Sequence, residues 1–301
     1  PMTYKHGIRV TEINTGLRTI ATISTAIIGL LAVAADADAQ AFPLNRPVLV
    51  TDIDAAIANA GETGTLAPAL RAIADQADPV IVVVRVEQGE NDAATTANLI
   101  GGSVDGLNTG MQAFLAAQAQ LGVRPRIFGA PGLDNQAVTA ALVIIARKLG
   151  GMVYASCDGC ETVAEAITYR DNFDQRELVL IWPEFTSFNT ESQSVEAGFA
   201  IARALGLRAR IDQEVGWHKT LSNVSVSGVT GISKDVHWDL QALDTEADLL
   251  NAAQITTLVN AGGGYKFWGS RTCSDEPLFA FESAVRTAQV LKDTIADGLL
   301  W

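Results

Sequence analysis

Between Pro47 and Leu205 the chain switches repeatedly between two hydrophobic periods. Pro47-Val48-Leu49-Val50 is a short apolar run, after which Asp52 is placed to cap a small helix carrying Ile53, Ala56 and Ile57 and ending at Gly61. From Thr65 onward Leu66, Leu70, Ile73 and Ala77 recur at helical spacing, until Asp78-Pro79 stops them. Val80 to Val86 is an almost unbroken β-branched run, the pattern of a strand covered on both faces. Three further rounds follow. A glycine-rich, acidic loop from Gln88 to Asp105 leads to a helix bearing Met111, Leu115 and Gln118, then to the strand Arg126-Ile127-Phe128-Gly129. Asp134 or Asn135 starts a helix with Val138, Ala141, Leu142 and Ile145 on its inner stripe, followed by a strand at 152–155 and a helix near 163–169. Residues 177–182 form the last strand of the series, with a helix predicted from Ser194 to Leu205 behind it. Strand and helix alternating over this length predict an α/β fold, with a mainly parallel sheet and helices on both faces.

The flanks read differently. Residues 6–13 alternate with a strand period: Ile8, Val10 and Glu12 on one side, Arg9, Thr11 and Ile13 on the other. Residues 19–41 are apolar and preceded by Lys5, Arg9 and Arg18, a pattern shared by secretory leaders and buried strands. Glu12 before the segment and Asp36 and Asp38 near its end favour the buried strand. Residues 216–223 and 226–231 show no helical period and read as a long loop or short strands, and Ala247 to Val259 is a polar-capped stretch. Gly263 to Asp275 reads as a strand handing over to a helix: two glycines permit a turn, Tyr265 and Phe267 alternate, Ser274 or Asp275 can cap, and Pro277 suits a first turn. In the final helix Phe281, Val285, Ala288, Leu291, Ile295 and Leu299 share one stripe, predicted to face the core.

Composition narrows the function. A chain of 301 residues, 48% hydrophobic, buries a sizeable core and has the length of two domains. A net charge of −13 argues against nucleic acid as a partner. No run reaches the roughly 18 apolar residues of a membrane helix, so no membrane insertion is expected. Three cysteines fit a reducing compartment better than a disulfide scaffold.

Catalytic chemistry is thinly represented. Cys157-Asp158-Gly159-Cys160 sits between a strand and a helix, where a thiol oxidoreductase keeps its cysteines, but a lone pair of this spacing has little specificity. His218 and His237 lie in the irregular region without a recognisable serine nucleophile motif. The glycine clusters fit neither a dinucleotide nor a phosphate loop. No metal site and no cofactor are expected.

Gly264-Tyr265-Lys266-Phe267-Trp268-Gly269-Ser270-Arg271-Thr272 resembles the G-(Y/F)-(R/K)-(F/L/V)-W-G-x-R-T motif of contractile phage tail sheath proteins of the P2-like and R-type pyocin kind. Residues 80–86, 125–133, 176–183 and the run Ser222-Asn223 to Gly231 are similar to that family's segments, in its order. The resemblance implies an α/β core of subtilisin-like topology, no enzyme activity, and contraction driven by rearranged interfaces between subunits. It implies self-association into stacked hexameric rings around a tail tube, contact with baseplate proteins, and a place in the virion tail after assembly in the host cytoplasm. It also implies that Ile8, Arg9, Val10, Thr11, Glu12 and Ile13 form an arm that adds a strand to a neighbouring subunit. The corresponding division is an arm at 1–18, a sheath core at 19–260 with an insertion-like region near 207–245, and the start of a C-terminal assembly domain at 261–301. Family members continue beyond the equivalent of Trp301, so this form is expected to be monomeric or weakly associated. The competing expectations are an α/β hydrolase or thiol oxidoreductase using Cys157 or His218, and an exported binding protein whose leader is residues 19–41.

Overall fold

A computed structural model describes residues 24–189 and 193–299. The candidate arm, Ile8 to Ile13, lies outside these residues. The chain opens with β1 (Ile28–Val33), β2 (Pro47–Val50), α1 (Ile53–Asn59), α2 (Leu66–Ala74), β3 (Ile81–Val86) and α3 (Asp92–Ile100). A small hairpin, β4 (Ser103–Val104) and β5 (Leu107–Asn108), a 3-10 helix at Gly110–Ala116 and α4 (Ala117–Leu121) lead to β6 (Ile127–Gly129). Then come α5 (Gln136–Leu149), β7 (Met152–Ser156), α6 (Val163–Arg170), β8 (Leu178–Ile181), β9 (Phe185–Asn189) and β10 (Ser194–Ala197). The remainder is α7 (Ala200–Glu214), β11 (Gly231–Ile232), α8 (Glu246–Ala252), β12 (Ile255–Ala261), β13 (Gly264–Trp268), a 3-10 turn at Pro277–Phe279 and α9 (Glu282–Gly298).

Eight strands form one sheet in the order β13-β12-β8-β7-β6-β1-β3-β2. Its six inner strands are parallel, and each edge strand, β13 and β2, runs antiparallel to its neighbour. The pleat divides the interior into two cores. Ile28, Leu30, Ile81 and Val83 pack with α1, α2 and α7, while Leu31, Val33, Val82 and Val84 pack with α5 on the opposite face. That two-sided burial explains why β1 and β3 read as unbroken apolar runs. Residues 19–41 thus contain a fully buried central strand, β1. Arg85 interrupts the β3 run without cost in unmet hydrogen bonds: its Nε donates to Phe42 O at 2.6 Å and its Nη1 to Ala34 O at 2.7 Å.

Local signals held where a side chain caps its own helix. Asp52 accepts from Ala55 N–H and Asn135 from Val138 N–H. They failed where the cap comes from elsewhere. The helix expected from Ser194 to Leu205 is strand β10 followed by α7, which starts at Ala200 and runs to Glu214. Gly198 is pressed against the Phe185 backbone, Phe199 adopts a left-handed φ of 53°, and the first N–H of α7 donates to Glu184 Oε1 at 2.5 Å. Residues 204–209 are the middle of this buried helix, which runs on into the insertion-like region expected near 207–245. Similarly, the stretch 247–259 resolves into α8 and β12, and β12 carries the parallel sheet one strand beyond the series read from the sequence.

The stripe expected to bury α9 turns outward. Of its residues Val285 is buried, while Phe281, Leu291, Ile295 and Leu299 are exposed; Glu282, Arg286 and Val290 face inward instead.

Candidate assembly site

The motif segment builds one edge of the large sheet. Gly262 and Gly263, both at positive φ, turn β12 into β13, and the two strands pair from Ala261–Gly264 to Thr257–Trp268. The expected boundary at 260 therefore falls within a hairpin. Along β13 the side chains alternate. Tyr265 and Phe267 lie against Phe185, with ring centroids 6.3 and 5.4 Å away, and Phe267 is wholly buried. On the other side Trp268 meets Trp238 edge-on at 5.2 Å, and Lys266 Nζ donates to Asn223 Oδ1 at 2.9 Å.

Gly269 ends the strand at a φ of 113°, and a Cβ there would lie 2.0 Å from Asn251 Oδ1. Its N–H donates to Ser222 Oγ at 3.0 Å. Arg271 lies over the Phe281 ring at 4.9 Å, and buried Thr272 donates its hydroxyl to Phe279 O at 2.5 Å. Two sequence segments some forty residues apart meet here. Asn223 N–H donates to Phe267 O and Val226 N–H to Tyr265 O, each at 2.9 Å, so the irregular run 222–226 lies along the outer edge of β13. Tyr265 Oη reaches Thr230 O at 2.8 Å, adding a third tie.

Below the motif, α9 is fastened by a buried ionic cluster that the sequence reading missed. Glu282 Oε1 accepts from Tyr154 Oη and, at 3.3 Å, from Arg208 Nη1; its Oε2 accepts from Ser270 Oγ at 2.7 Å. Arg208 Nε donates to Asp212 Oδ1 at 2.9 Å, and Asp212 also binds Arg286. The four charged side chains are almost wholly inaccessible and balance one another. Burial and the Glu282 charge push the Tyr154 hydroxyl well above its ordinary pKa. Burial alone would lower the Arg208 pKa, but Glu282, Tyr154 and Asp212 outweigh it and raise it. Further along α9, Gln289 donates to Gly151 O at 2.9 Å and Asp293 pairs with Arg126. The readable clue was two opposite-charge pairs at i,i+4 spacing, Arg208–Asp212 and Glu282–Arg286.

Residues 106–273 match the phage tail sheath protein central domain, and residues 25–86 match the tail sheath protein Gp18 domain III N-terminal region. The chain is 54% identical to the tail sheath protein of Escherichia phage P2 over 99% of its own length and 77% of that protein. It is 52% identical to the major tail sheath protein of Serratia phage KSP20, covering 97% of this chain and 75% of the relative. The chain belongs to the phage tail sheath protein family. The contracted helical sheath of the anti-feeding prophage superposes on the whole chain and 78% of its own subunit, with a TM-score of 0.65 at 15% identity. The sheath tail protein of Desulfitobacterium hafniense gives 0.59 at 8% identity, covering 96% and 82%.

This sheath protein is thus a structural subunit of a contractile tail, and the enzyme readings give way to that role. The geometry around their chosen residues agrees. Burial pushes the Cys157 thiol well above its ordinary pKa, and burial raises that of Cys160 as well, the reverse of an activated nucleophile. Cys157 shares a cleft with Ala200 and Ile201 at the start of α7, whereas His218 is not among the residues lining that cleft and follows the other end of the helix. Among the described residues no cluster of three or more His, Cys, Asp or Glu side chains is placed to hold a metal ion, and no helix is long and apolar enough to cross a membrane.

Proposed function

We propose that this sheath subunit polymerises with copies of itself into stacked six-fold rings around a tail tube, anchored on a baseplate. Contraction then drives the tube through the host envelope. The observation that carries this reading is 54% identity with the P2 tail sheath protein across 99% of the chain. Assembly takes place in the host cytoplasm, before the tail leaves the cell. The work comes from subunits exchanging one packing for another.

Within that scheme residues 1–18 act as the linking arm, with Ile8 to Ile13 adding a strand to a neighbour. The core proposed at 19–260 and the assembly region proposed at 261–301 are joined through the β12–β13 hairpin, so the two act as one body at that sheet edge. Gly264, Tyr265, Phe267, Trp268, Gly269, Arg271 and Thr272 serve assembly indirectly, by fixing the course of the chain from the sheet edge into α9. The contacts of Phe267 with Phe185 and of Thr272 with Phe279 support this role.

The test is a hybrid tail. This chain replaces its matching stretch in the P2 sheath protein, and lysates are examined by electron microscopy. Sheathed, contractile tails are expected; naked tubes alongside soluble, folded hybrid subunit would overturn the reading. Removing residues 1–18 from the hybrid should leave subunits that no longer form a continuous sheath.

A further inference from the structure

The corner between β7 and α6 carries two cysteines on a single turn. Cys160 N–H donates back to Cys157 O at 3.2 Å, and Gly159 takes a φ of 70° while Asp158 keeps a negative φ. That is the φ pattern of a type II turn, with glycine at the position that needs a positive value. Such a turn holds its first and last Cα atoms within about 7 Å of each other, and disulfides form across roughly 4.4–6.8 Å. Both cysteines also line one cleft of about 250 Å³, together with Trp182, Glu184 and Lys234. They differ in access. Cys157 is 4% exposed, whereas Cys160 is half-buried and its thiol donates to Asp158 O at 3.7 Å.

We propose that Cys157 and Cys160 form a redox modification site, a dithiol that closes to an intramolecular disulfide by exchange with oxidised glutathione or another small-molecule disulfide. The Cys160 thiolate attacks one sulfur of the reagent, forming a mixed disulfide and expelling one reagent thiolate. Cys157, its proton lost to water, then attacks Cys160 Sγ and expels the second. Two protein thiols are oxidised and one reagent disulfide is reduced to two thiols, so electrons and protons balance. Access sets the order, because a reagent arriving from solvent meets Cys160 first. Cys273 is wholly buried, and its N–H is engaged by Leu178 O at 3.0 Å, away from the turn.

These are not a catalyst's thiols. Burial raises both above their ordinary pKa, so little thiolate is present at neutral pH and closure is slow, quickening by about tenfold per pH unit. A slow pair stays reduced in a thiol-rich compartment and closes on long exposure to an oxidising one. The link fastens a corner that already ties separate segments together. Cys160 O accepts from Trp182 Nε1 at 3.0 Å, just past the end of β8, and the next residue, Glu161, pairs with Lys234. The site does not rest on the sheath assignment, because only the turn and the access of its thiols enter the argument.

Mass spectrometry of the folded 301-residue chain tests it. The reduced protein is incubated with oxidised glutathione, quenched with acid, and read by intact mass and peptide mapping. The expected product is lighter by two hydrogens, carries no glutathione, and has its link between Cys157 and Cys160, while Cys273 is alkylated only after unfolding. Dithiothreitol should restore the starting mass. Cys157→Ala should halt at a stable glutathione adduct on Cys160, and Cys160→Ser should slow the loss of the Cys157 thiol by about tenfold or more. A parent chain that keeps all its thiols, that holds glutathione on Cys160 without closing, or that links Cys157 to Cys273 would each overturn the proposal. The parent alone supplies those three results, so the outcome does not depend on either variant folding.

Discussion

Arg208 of α7 and Glu282 of α9 meet at 3.3 Å with neither side chain reached by solvent. Two like-charged guanidiniums, Arg208 and Arg286, share the carboxylates of Glu282 and Asp212, so the cluster is neutral only as a whole. Removing one member strands a buried charge, and breaking such a group costs about 3–5 kcal/mol. Glu282→Ala should therefore lower the urea midpoint by a corresponding amount without changing its slope. A loss under about 1 kcal/mol would show that water reaches the cluster and that α9 is held by packing instead.

Asp134 should make the protein less stable as pH rises. Burial raises its carboxyl from 3.8 to about 6, against an opposing hydrogen bond from Ser156 N–H at 2.5 Å. Below pH 4 both folded and unfolded chains carry the proton and the group is neutral in its effect. Between about 4 and 6 the unfolded chain releases it first, so the folded state loses ground, by about 3 kcal/mol once both are ionised. Asp134→Asn keeps an oxygen for the Ser156 N–H and removes the buried charge. It should stabilise the protein at pH 8 and do nothing at pH 4, read as the difference in unfolding free energy between variant and parent. Equal effects at both pH values would rule out ionisation as the cause.

The alternation of β-branched runs with helical stripes revealed the parallel sheet because each inner strand is buried on both faces, which leaves a strong local signature. β12 escaped because Thr256 and Thr257 break its apolar run, although both are fully buried. The start of α7 escaped because its cap, Glu184, is sixteen residues away and no local residue announces it. The facing of α9 was misjudged for a different reason. Periodicity locates an apolar stripe but does not say what covers it, and here four tied charged or polar residues, Glu282, Arg286, Gln289 and Asp293, take the inward position. The motif itself was legible, whereas its pairing with residues 222–226 is long-range backbone hydrogen bonding that no side-chain pattern encodes.

Gly269 occupies a backbone conformation that other residues enter only with strain, at a φ of 113°. The space is closed as well, since a methyl group there would sit 2.0 Å from Asn251 Oδ1. Gly269→Ala should cost about 1–3 kcal/mol for the backbone alone. Pairing it with Asn251→Ala separates the two causes: relief by the second change measures the clash, and what remains measures the dihedral strain. Full recovery in the double variant would mean that the dihedral carries no penalty.

Phe267 and Tyr265 share a face of β13, yet their substitutions should differ in kind. Phe267 is wholly buried against Phe185 in the core, so Phe267→Ala removes a large side chain from a packed interior and should cost about 3–5 kcal/mol. Tyr265 is only partly buried, and its ring stays against Phe185 when the hydroxyl is removed. Tyr265→Phe loses one hydrogen bond, to Thr230 O at 2.8 Å, and should cost about 1 kcal/mol. The more telling readout is local. Hydrogen exchange at the Val226 N–H, which donates to Tyr265 O, should accelerate in Tyr265→Phe while amides of β1 and β3 keep their protection. Uniform acceleration across the sheet would instead show that the 222–230 segment unfolds only together with the whole core, so that the motif edge and the central strands form one cooperative unit.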